Sequence, residues 1–452
     1  MKIQLFGIFV LALIMIALPL HLRFAHNNLT LAGTEPYYHA RMAIELSEGK
    51  IPKTDTAIVG GRPYVINAYH VVLATGYKVL GPLAFNLFPP VFAFASFIFF
   101  WLLLKKLEVS ENTQAWMLLS YALSPPLASI SILGTPYAFV LALLTGGSYF
   151  LLTKWWIAGM FAVSIASLTG PIYAIAAIVF LLILILTSKE DTRNLTITFF
   201  ISLILLIFNY VPSYIPHHRG FSEYISDLGG TYGFSAFGLM LAIVGAILVW
   251  EHKQKYYGAY ATFILFLITN FFFPGLMVFA NVLVSGLAGV ALARLAQRKW
   301  ELNFLRQASL LVLFCGLLFS SISHSVILAD IQPTTSFFKA IEFKPGTILS
   351  HEQYGFWIES AGHKAVIDPL VKELPEPEER EWDIAALFGS TDVQKTKTLL
   401  ERYNITHILI TPQMKHGLLW EREQEGLDFL VENNEMFKKL ETETNIGVWT
   451  IK

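Results

Sequence analysis

Long apolar runs recur along the first 329 residues of the chain, and each is about the length of a bilayer-spanning helix. A transmembrane helix needs about 20 predominantly apolar residues. The first run is followed by HLRF rather than by a small-residue cleavage site, so we interpret it as a retained helix and not as a signal peptide. Several runs are separated only by a proline or glycine hinge, and the pattern therefore predicts about eleven, and at most thirteen, transmembrane helices. The runs lie at 3–20, 86–104, 113–131, 136–152, 155–169, 171–187, 195–213, 232–250, 257–273, 274–293 and 307–328.

Basic residues fall in alternate short loops between these runs. The tight hairpins at 132–136, 169–171 and 273–275 contain no Lys or Arg. Because cytoplasmic loops are enriched in basic residues, the pattern predicts a cytoplasmic N-terminus. The loops 21–85 and 214–231 and the C-terminal part of the chain are then extracytoplasmic. The basic loops contain Lys105 and Lys106, Lys154, Lys189 and Arg193, Lys253 and Lys255, and Arg294, Arg298, Lys299 and Arg306.

The hydrophobic pattern changes after residue 329. Short strand patterns now alternate with helical patterns, which predicts a small α/β domain with a parallel sheet and a closing hairpin around Asn445–Gly447. The acidic stretch PEPEEREWD, residues 375–383, is predicted to be a solvated loop. The candidate strands are Thr347–Leu349, Ala365–Ile367 and Ile405–Ile410, and the candidate helices are 335–342, 353–361 and 392–403.

Charge placement supports the same division. Residues 330–452 hold 21 of the 33 acidic residues and 13 of the 32 basic ones. We therefore expect a boundary near Asp330. A membrane domain at 1–329 would include the outer loop 21–85 with its interfacial helices, and a soluble α/β domain would follow at 330–452.

Overall composition fits a mainly α, polytopic integral membrane protein. Hydrophobic residues make up 55% of the chain and charged residues 14%, and the mean hydropathy is +0.55. The net charge of −1 gives no support for a nucleic-acid partner. The single cysteine, Cys315, excludes an internal disulfide.

Candidate chemistry collects in the first outer loop. Residues 33–43 read GTEPYYHARMA. Pro36 suits the first position of a helix, so we expect a helix from Pro36 to Glu48 with Gly49 as its stop. Glu35 would then be an extended cap residue, because a residue before proline avoids the α region. Tyr37 belongs to a partial apolar stripe, and the stripe predicts a helix in the membrane interface plane.

This segment, followed by EGKIP, GGRPY and AYH, resembles the first external loop of the oligosaccharyltransferase catalytic-subunit family, which belongs to the C-type membrane glycosyltransferases. The family motif is an acidic residue, a proline, two aromatic or polar residues and then a basic residue. The resemblance implies that Glu35 holds a divalent metal or positions the acceptor nucleophile. Tyr37, Tyr38, His39 and Arg41 would complete the motif.

Two further stretches are similar to the same family. HHRGFSEYISDLGGTYGF, residues 217–234, is similar to an external loop in which Ser222–Glu223 would be the matching pair. Arg219 nearby would bind a lipid-linked phosphate, because a guanidinium matches phosphate oxygens in a two-pronged way. HEQYGFWI, residues 351–358, lies where the family carries its acceptor-binding signature but keeps only Tyr354–Gly355 of it. The resemblance therefore does not by itself imply protein N-glycosylation.

The metal site departs from the family pattern. The family carries a second acidic pair before the fourth span, whereas LGTPYAF at 133–139 contains no acid. Glu35 with help from Asp55, Glu223 or His39 would be a poor cage for magnesium or manganese, since hard cations take several oxygen ligands. Relatives that use lipid-monophosphate sugars often need no metal, and the sequence suits that subgroup at least as well.

The resemblance implies an inverting glycosyltransferase with a polyprenyl (dolichyl-type) phosphate-linked sugar donor. The acceptor would be a protein, a lipid or a glycan on the extracytoplasmic face of a cell membrane, or of the ER membrane in a eukaryote. Glu35 would be the general base or a metal ligand, and Tyr37, Tyr38, His39, Arg41, Asp55, Arg219, Glu223 and Tyr354 would bind the substrates.

Two alternatives compete with this interpretation. A transporter or lipid flippase would need internal repeats and charges within the spans, but no acid lies in the middle of a predicted span. A catalytically inactive relative would explain the missing second acidic pair.

Overall fold

The computed structural model describes residues 2–188, 192–208, 220–250, 253–422, 424–441 and 444–452. The chain divides into two compact units. The first unit comprises the residues up to Asn27 together with Asn67–Ile331. The second unit comprises Asn28–Ile66 together with Gln332–Lys452. The sequence-based boundary near Asp330 lies close to the division after Ile331. The sequence-based membrane domain also included residues 28–66, which here belong to the second unit.

The first unit is helical, and a helix or a bent helix pair lies at each predicted apolar run. Asn67 begins the first helix after the outer loop, and its side chain accepts a hydrogen bond from the Tyr69 backbone N–H at 2.8 Å. This cap satisfies one of the unpaired N–H groups of the first turn. The helices are Lys2–Ala25, Ala68–Leu80, Leu83–Lys106, Glu111–Ala122, Pro125–Ile132, Pro136–Leu151, Trp156–Leu168, Pro171–Thr187, Arg193–Phe208, Ala236–Val249, Lys253–Asn270, Met277–Gln297 and Asn303–Ala329.

Four helices of the described part of the chain are long and apolar enough to cross a bilayer on their own, and the bent pair Glu111–Ala122 and Pro125–Ile132, with an angle of 54° between its halves, adds a fifth. The other apolar helical segments have 10–17 residues, and Tyr257–Asn270 is one of them. The chain is therefore a mainly α protein with several apolar helices. The predicted number of eleven to thirteen spans stays a prediction.

Glycines allow close helix contacts in the first unit. A Cβ atom on Gly289 would lie 2.3 Å from Met117 Cα, and one on Gly245 would lie 2.0 Å from the Leu287 carbonyl oxygen. Such distances are too short for any side chain. Small residues at these crossings let backbones approach closely, as packing between apolar helices in a membrane requires.

The second unit is built on a mixed five-stranded sheet. Its strands are β3 (Thr347–Leu349), β4 (Lys364–Ala365), β5 (His407–Ile410), β6 (Phe437–Lys439) and β7 (Gly447–Ile451), after the two short strands of the outer loop, β1 (Thr54–Asp55) and β2 (Arg62–Pro63). The order is β4-β3-β5-β7-β6. The β4, β3 and β5 strands are parallel, as the sequence predicts, whereas β7 pairs antiparallel with both β5 and β6.

Helices of the second unit follow the predicted pattern with one exception. Asp392 caps one helix by accepting hydrogen bonds from two backbone N–H groups. The predicted solvated loop 375–383 was wrong, because Pro377–Phe388 is a helix with Ile384 and Leu387 buried. Of its acidic residues, Glu378 and Glu379 are exposed, whereas Glu381 and Asp383 are half-buried. The helices are Glu35–Ser47, Thr335–Ala340, Gly355–Ser360, Pro377–Phe388, Val393–Arg402 and Gly426–Asn433.

The outer-loop segment Asn28–Ile66 packs into the core of the second unit. Ile58 is 1% exposed and forms a parallel bridge with Ala365 of β4. Gly60 and Gly61, both with positive φ, form the turn between β1 and β2. Burial of Ile58 against the sheet favours packing of the β1–β2 hairpin on the C-terminal part of the second unit.

Candidate active site

The helix that carries the motif begins at Glu35 itself. Thr34 is its N-cap residue, with φ −96° and ψ −51°, and Pro36 is the second helical residue. The expectation that Glu35 is an extended cap residue was therefore wrong, because the helix starts one residue earlier. The Glu35 side chain is exposed, and it lies at the helix end where a negative charge is favoured.

The two tyrosines of the motif pack against the C-terminal part of the second unit. Tyr37 is 9% exposed, and its ring centroid lies 5.4 Å from that of Phe338. Tyr38 stacks on Phe356 at 5.2 Å. Tyr37 of the predicted apolar stripe is therefore buried in the core of the second unit. The stripe was expected to place this ring at the membrane interface instead.

Arg41 forms a two-pronged ion pair with Asp55. Its Nη1 lies 2.7 Å from Asp55 Oδ1, and its Nη2 lies 2.7 Å from Oδ2. The same Nη2 donates to Glu359 Oε2 at 2.7 Å. Guanidinium and carboxylate geometry match in this arrangement. Arg41 thus connects the motif helix to the β1 strand and to the helix Gly355–Ser360.

A second arginine extends the cluster. Arg62 of β2 donates from Nη2 to Asp55 Oδ2 at 2.8 Å and from Nη1 to Asp368 Oδ2 at 2.7 Å. Its guanidinium carbon also lies 5.1 Å from the centre of the Tyr38 ring. Arg62, Asp55 and Asp368 are at most 2% exposed. We call the five side chains Arg41, Asp55, Arg62, Glu359 and Asp368 the buried charge cluster.

The cluster shifts the pKa values of its acids in opposite directions. Burial raises the pKa of Asp55, but the hydrogen bonds and charge of Arg41 and the charge of Arg62 outweigh it, so the pKa lies below its ordinary value. For Glu359, burial and the neighbouring Asp368 carboxyl raise the pKa well above its ordinary value, despite Arg41. Burial likewise raises the pKa of the Tyr38 phenol, which therefore remains protonated near neutral pH.

The predicted residues of the second outer loop lie in the first unit. Glu223 is half-buried on the short 3₁₀ turn Phe221–Tyr224. Near it, Asp227 accepts hydrogen bonds from Ser320 Oγ at 2.5 Å and from the Ala236 backbone N–H at 2.8 Å. The predicted phosphate ligand Arg219 lies outside the described residues.

Tyr354 has a structural environment in the second unit. It is 1% exposed, and its hydroxyl lies 2.9 Å from Thr411 Oγ1 and donates to Gln413 Oε1 at 2.8 Å. Its ring also stacks on Phe337. These contacts hold Tyr354 between the loops that follow β3 and β5. Its assignment as a substrate-binding residue stays a prediction.

The residues that are described do not form a cage for magnesium or manganese. Among them, no three His, Cys, Asp or Glu side chains converge on one point. Both oxygens of Asp55, the proposed helper of Glu35, already accept hydrogen bonds from Arg41 or Arg62. The arrangement does not fit a metal held by Glu35 and Asp55.

Sequence reasoning missed three members of the cluster, namely Arg62, Glu359 and Asp368. Asp368 directly follows the apolar stretch 365–367 at the carboxyl end of a parallel strand, a common position for functional side chains. Glu359 ends the apolar run Phe356–Ile358, so an acid on a buried helix was the available signal. Arg62 was part of the quoted GGRPY stretch without an assigned partner.

Comparison with known proteins identifies the fold. No family model and no curated protein sequence matches the chain. Among solved structures, the archaeal oligosaccharyltransferase AglB from Archaeoglobus fulgidus, in complex with an inhibitory peptide and a dolichol-phosphate, is similar with a TM-score of 0.64 and 11% identity over 91% of this chain and 70% of that chain. ArnT from Cupriavidus metallidurans, bound to undecaprenyl phosphate, is similar with a TM-score of 0.59 and 12% identity over 96% of this chain and 97% of that chain.

A third similar structure belongs to a much longer chain. The arabinofuranosyltransferase AftD from Mycobacteria has a TM-score of 0.53 and 12% identity over 100% of this chain and 41% of that chain. All three belong to the C-type membrane glycosyltransferases, so the resemblance deduced from the outer loop is confirmed at the level of the fold. At these identities the likeness establishes the fold alone.

Proposed function

We propose that this protein is an integral membrane glycosyltransferase that takes a sugar from a polyprenyl phosphate carrier and transfers it to a protein, lipid or glycan acceptor. The observation that carries the proposal is the likeness in fold to ArnT over 96% of this chain and 97% of that chain. The solved relatives include complexes with dolichol-phosphate and with undecaprenyl phosphate. A lipid-linked donor is the ligand class that these complexes share.

Glu35 is the proposed general base. Its exposed carboxylate lies at the first residue of the motif helix. An acceptor O–H or N–H group loses its proton to Glu35 while its oxygen or nitrogen bonds to the anomeric carbon. The bond from that carbon to the phosphate oxygen breaks, and the polyprenyl phosphate leaves with the electron pair, which inverts the anomeric centre. A nearby carboxylate also stabilises positive charge that develops on the sugar.

The remaining site predictions have different supports. His39 and Arg41 lie on the helix that Glu35 begins, so they would orient it. Glu223 and Arg219 belong to the other outer loop, where Arg219 would bind the carrier phosphate through its guanidinium. The placement of basic loops supports an extracytoplasmic site with a cytoplasmic N-terminus.

The proposal is tested by transfer of label in membranes that contain the protein. Radiolabelled sugars would be supplied on polyprenyl monophosphate and, separately, on polyprenyl diphosphate carriers. Membranes from the same host without the protein are the control. We expect labelled acceptor to form only with the protein and at a higher rate from the monophosphate donor. Absence of transfer from both donor classes, with the protein monodisperse in detergent, would contradict the proposal and favour an inactive relative.

A further inference from the structure

The buried charge cluster contains more carboxyl groups than guanidinium groups. Asp55, Glu359 and Asp368 are each at most 2% exposed, and they form ion pairs only with Arg41 and Arg62 among the residues described. A nearby third guanidinium, that of Arg380, donates instead to the carbonyl oxygens of Val59 and Val366. With all three acids ionised, the cluster would hold one more negative charge than its two guanidinium groups balance, and the charge of Arg380 on Asp368 offsets this excess only in part. An excess buried charge is costly in a protein interior.

Glu359 is the acid whose contacts leave room for a proton. Its Oε2 accepts from Arg41 Nη2, whereas its Oε1 is buried without a hydrogen-bond partner among the described atoms. By contrast, both oxygens of Asp55 accept from a guanidinium, and Asp368 accepts from Arg62 and from the Leu370 backbone N–H at 2.8 Å. A proton on Glu359 would neutralise the cluster and could be shared with the adjacent Asp368 carboxyl.

We propose that Glu359 is a protonated positioning residue that, through Arg41, fixes the helix Glu35–Ser47 to the sheet of the second unit. Arg41 connects one strand and two helices. It lies on the motif helix, and it binds Asp55 of β1 and Glu359 of the helix Gly355–Ser360. Glu35 is six residues before Arg41 on the same helix, about 9 Å along the axis. We call the contact between Glu359 and Arg41 that fixes this helix the clamp. The catalytic part of this inference rests on the proposed function, whereas the clamp itself does not.

The stability of the clamp depends on pH through the proton on Glu359. Its raised pKa means that the folded protein binds this proton more tightly than the unfolded chain does. The stability that depends on the proton is therefore present at low pH and is lost as the pH rises through the folded-state pKa. The surrounding groups are Arg41 and Glu45 on the motif helix, Asp55 on β1, Arg62 on β2, Asp368 after β4, and the nearby Tyr38 and Glu373.

Hydrogen exchange of backbone amides in the full-length protein tests the clamp without any need for activity. Exchange of peptides that cover 35–47 would be measured at several pH values in wild type, Glu359→Gln and Glu359→Ala. A glutamine has the shape of a protonated glutamate, so it can accept from Arg41 and donate to Asp368. Glu378→Gln is the matched control, because Glu378 is an exposed acid elsewhere in the second unit.

We expect Glu359→Gln to protect residues 35–47 as well as wild type at mildly acidic pH, where Glu359 is protonated and Asp55 is still ionised. Glu359→Gln should keep that protection as the pH rises and wild type loses it. Glu359→Ala should exchange at least about tenfold faster at every pH, since it leaves Arg41 without this partner. The control should match wild type after correction for the intrinsic pH dependence of exchange. Faster exchange in Glu359→Gln than in wild type at mildly acidic pH would overturn the proposal, because it would show that an ionised Glu359 holds the helix.

Transfer assays then separate the clamp from the chemistry. If the clamp positions Glu35, Glu359→Ala should transfer sugar more slowly than wild type. Glu359→Gln should keep the wild-type rate and should remain active to higher pH than wild type. If no transfer is found with any variant but exchange behaves as expected, the proposed function fails and the clamp stands. If transfer is found and the exchange pattern does not respond to Glu359, the clamp fails and the function stands.

Discussion

Arg41 and Asp55 face each other as a two-pronged ion pair, with each guanidinium nitrogen 2.7 Å from its own carboxylate oxygen. The two residues are separated by 14 positions, and they join the motif helix to the β1 strand. Both oxygens of Asp55 accept from guanidinium groups, so this carboxylate is fixed in position between the helix and the strand. The basic residue of the motif is thus part of the scaffold that orients the helix.

Replacement of Arg41 by lysine should weaken this scaffold although the charge is kept. A lysine ammonium is a point donor and cannot reproduce the planar fork that binds Asp55 and Glu359 together. We expect Arg41→Lys to lower the free energy of unfolding by about 2 kcal/mol, the scale of hydrogen bonds to charged groups. Chemical denaturation of the purified protein would measure the change.

Arg402→Lys is the matched control for that variant. Arg402 also binds two acids, Asp383 at 2.6 Å and Glu379 at 2.5 Å, but its side chain is 45% exposed. Water screens such a pair, and its replacement should have little effect. Equal loss of stability in both variants would show that burial of the Arg41 pair has no special weight.

Gly355 should not tolerate a side chain. A Cβ atom there would lie 2.5 Å from the Ile367 carbonyl oxygen and 2.5 Å from Asp368 Cβ. Gly355→Ala would push the Asp368 backbone away from its place beside Arg62, at a cost of about 1–3 kcal/mol for overpacking. Gly389→Ala is the control, since its nearest neighbour would be 3.5 Å away and its φ is −84°. Thermal unfolding of both variants measures the effect, and an unchanged midpoint in Gly355→Ala would contradict the packing.

Acid should loosen the buried charge cluster through Asp55. Its pKa lies below the ordinary value because the arginines outweigh the effect of burial. The stability that it contributes is therefore present above its unfolded-state pKa and is lost as the pH falls through its folded-state pKa. We expect the unfolding midpoint to fall on the acid side in wild type. Asp55→Asn should already be less stable near neutral pH and should show a shallower acid decline.

The exposed Glu379 provides the comparison for that pH experiment. Its pKa is lowered by the hydrogen bond and charge of Arg402, but the group is at the surface. Glu379→Gln should leave the acid decline of wild type almost unchanged. A decline of equal steepness in wild type and Asp55→Asn would mean that other acids govern acid unfolding.

The hydrophobic pattern predicted helices and strands well because burial acts on each segment directly. Strand Thr347–Leu349 was predicted to the residue, since three apolar or β-branched residues there lie between Gly346 and Ser350. The division into two units was harder, because Ile58 packs on Ala365 more than 300 positions away. Nothing in the composition of residues 28–66 indicates that distant contact.

The candidate site shows the same limit. Glu35, Tyr38, Arg41 and Asp55 could be selected from the sequence because they are clustered and resemble a family motif. Glu359 and Asp368 complete the cluster only through the pairing of β3 with β4 and the helix between them. Both residues lie more than 300 positions after Arg41 in the sequence. A local sequence pattern could therefore not identify them.

The most direct test of the account is the rate of sugar transfer by Glu35→Gln. Glu48→Gln is its matched control, because Glu48 is an exposed acid at the other end of the same helix. Both variants would be assayed in membranes against wild type, with the amount of folded protein equalised. We expect Glu35→Gln to lose at least about a hundredfold in rate, the range of general base catalysis, and Glu48→Gln to retain the wild-type rate. Transfer by Glu35→Gln at the wild-type rate would contradict the assignment of Glu35 as the catalytic base.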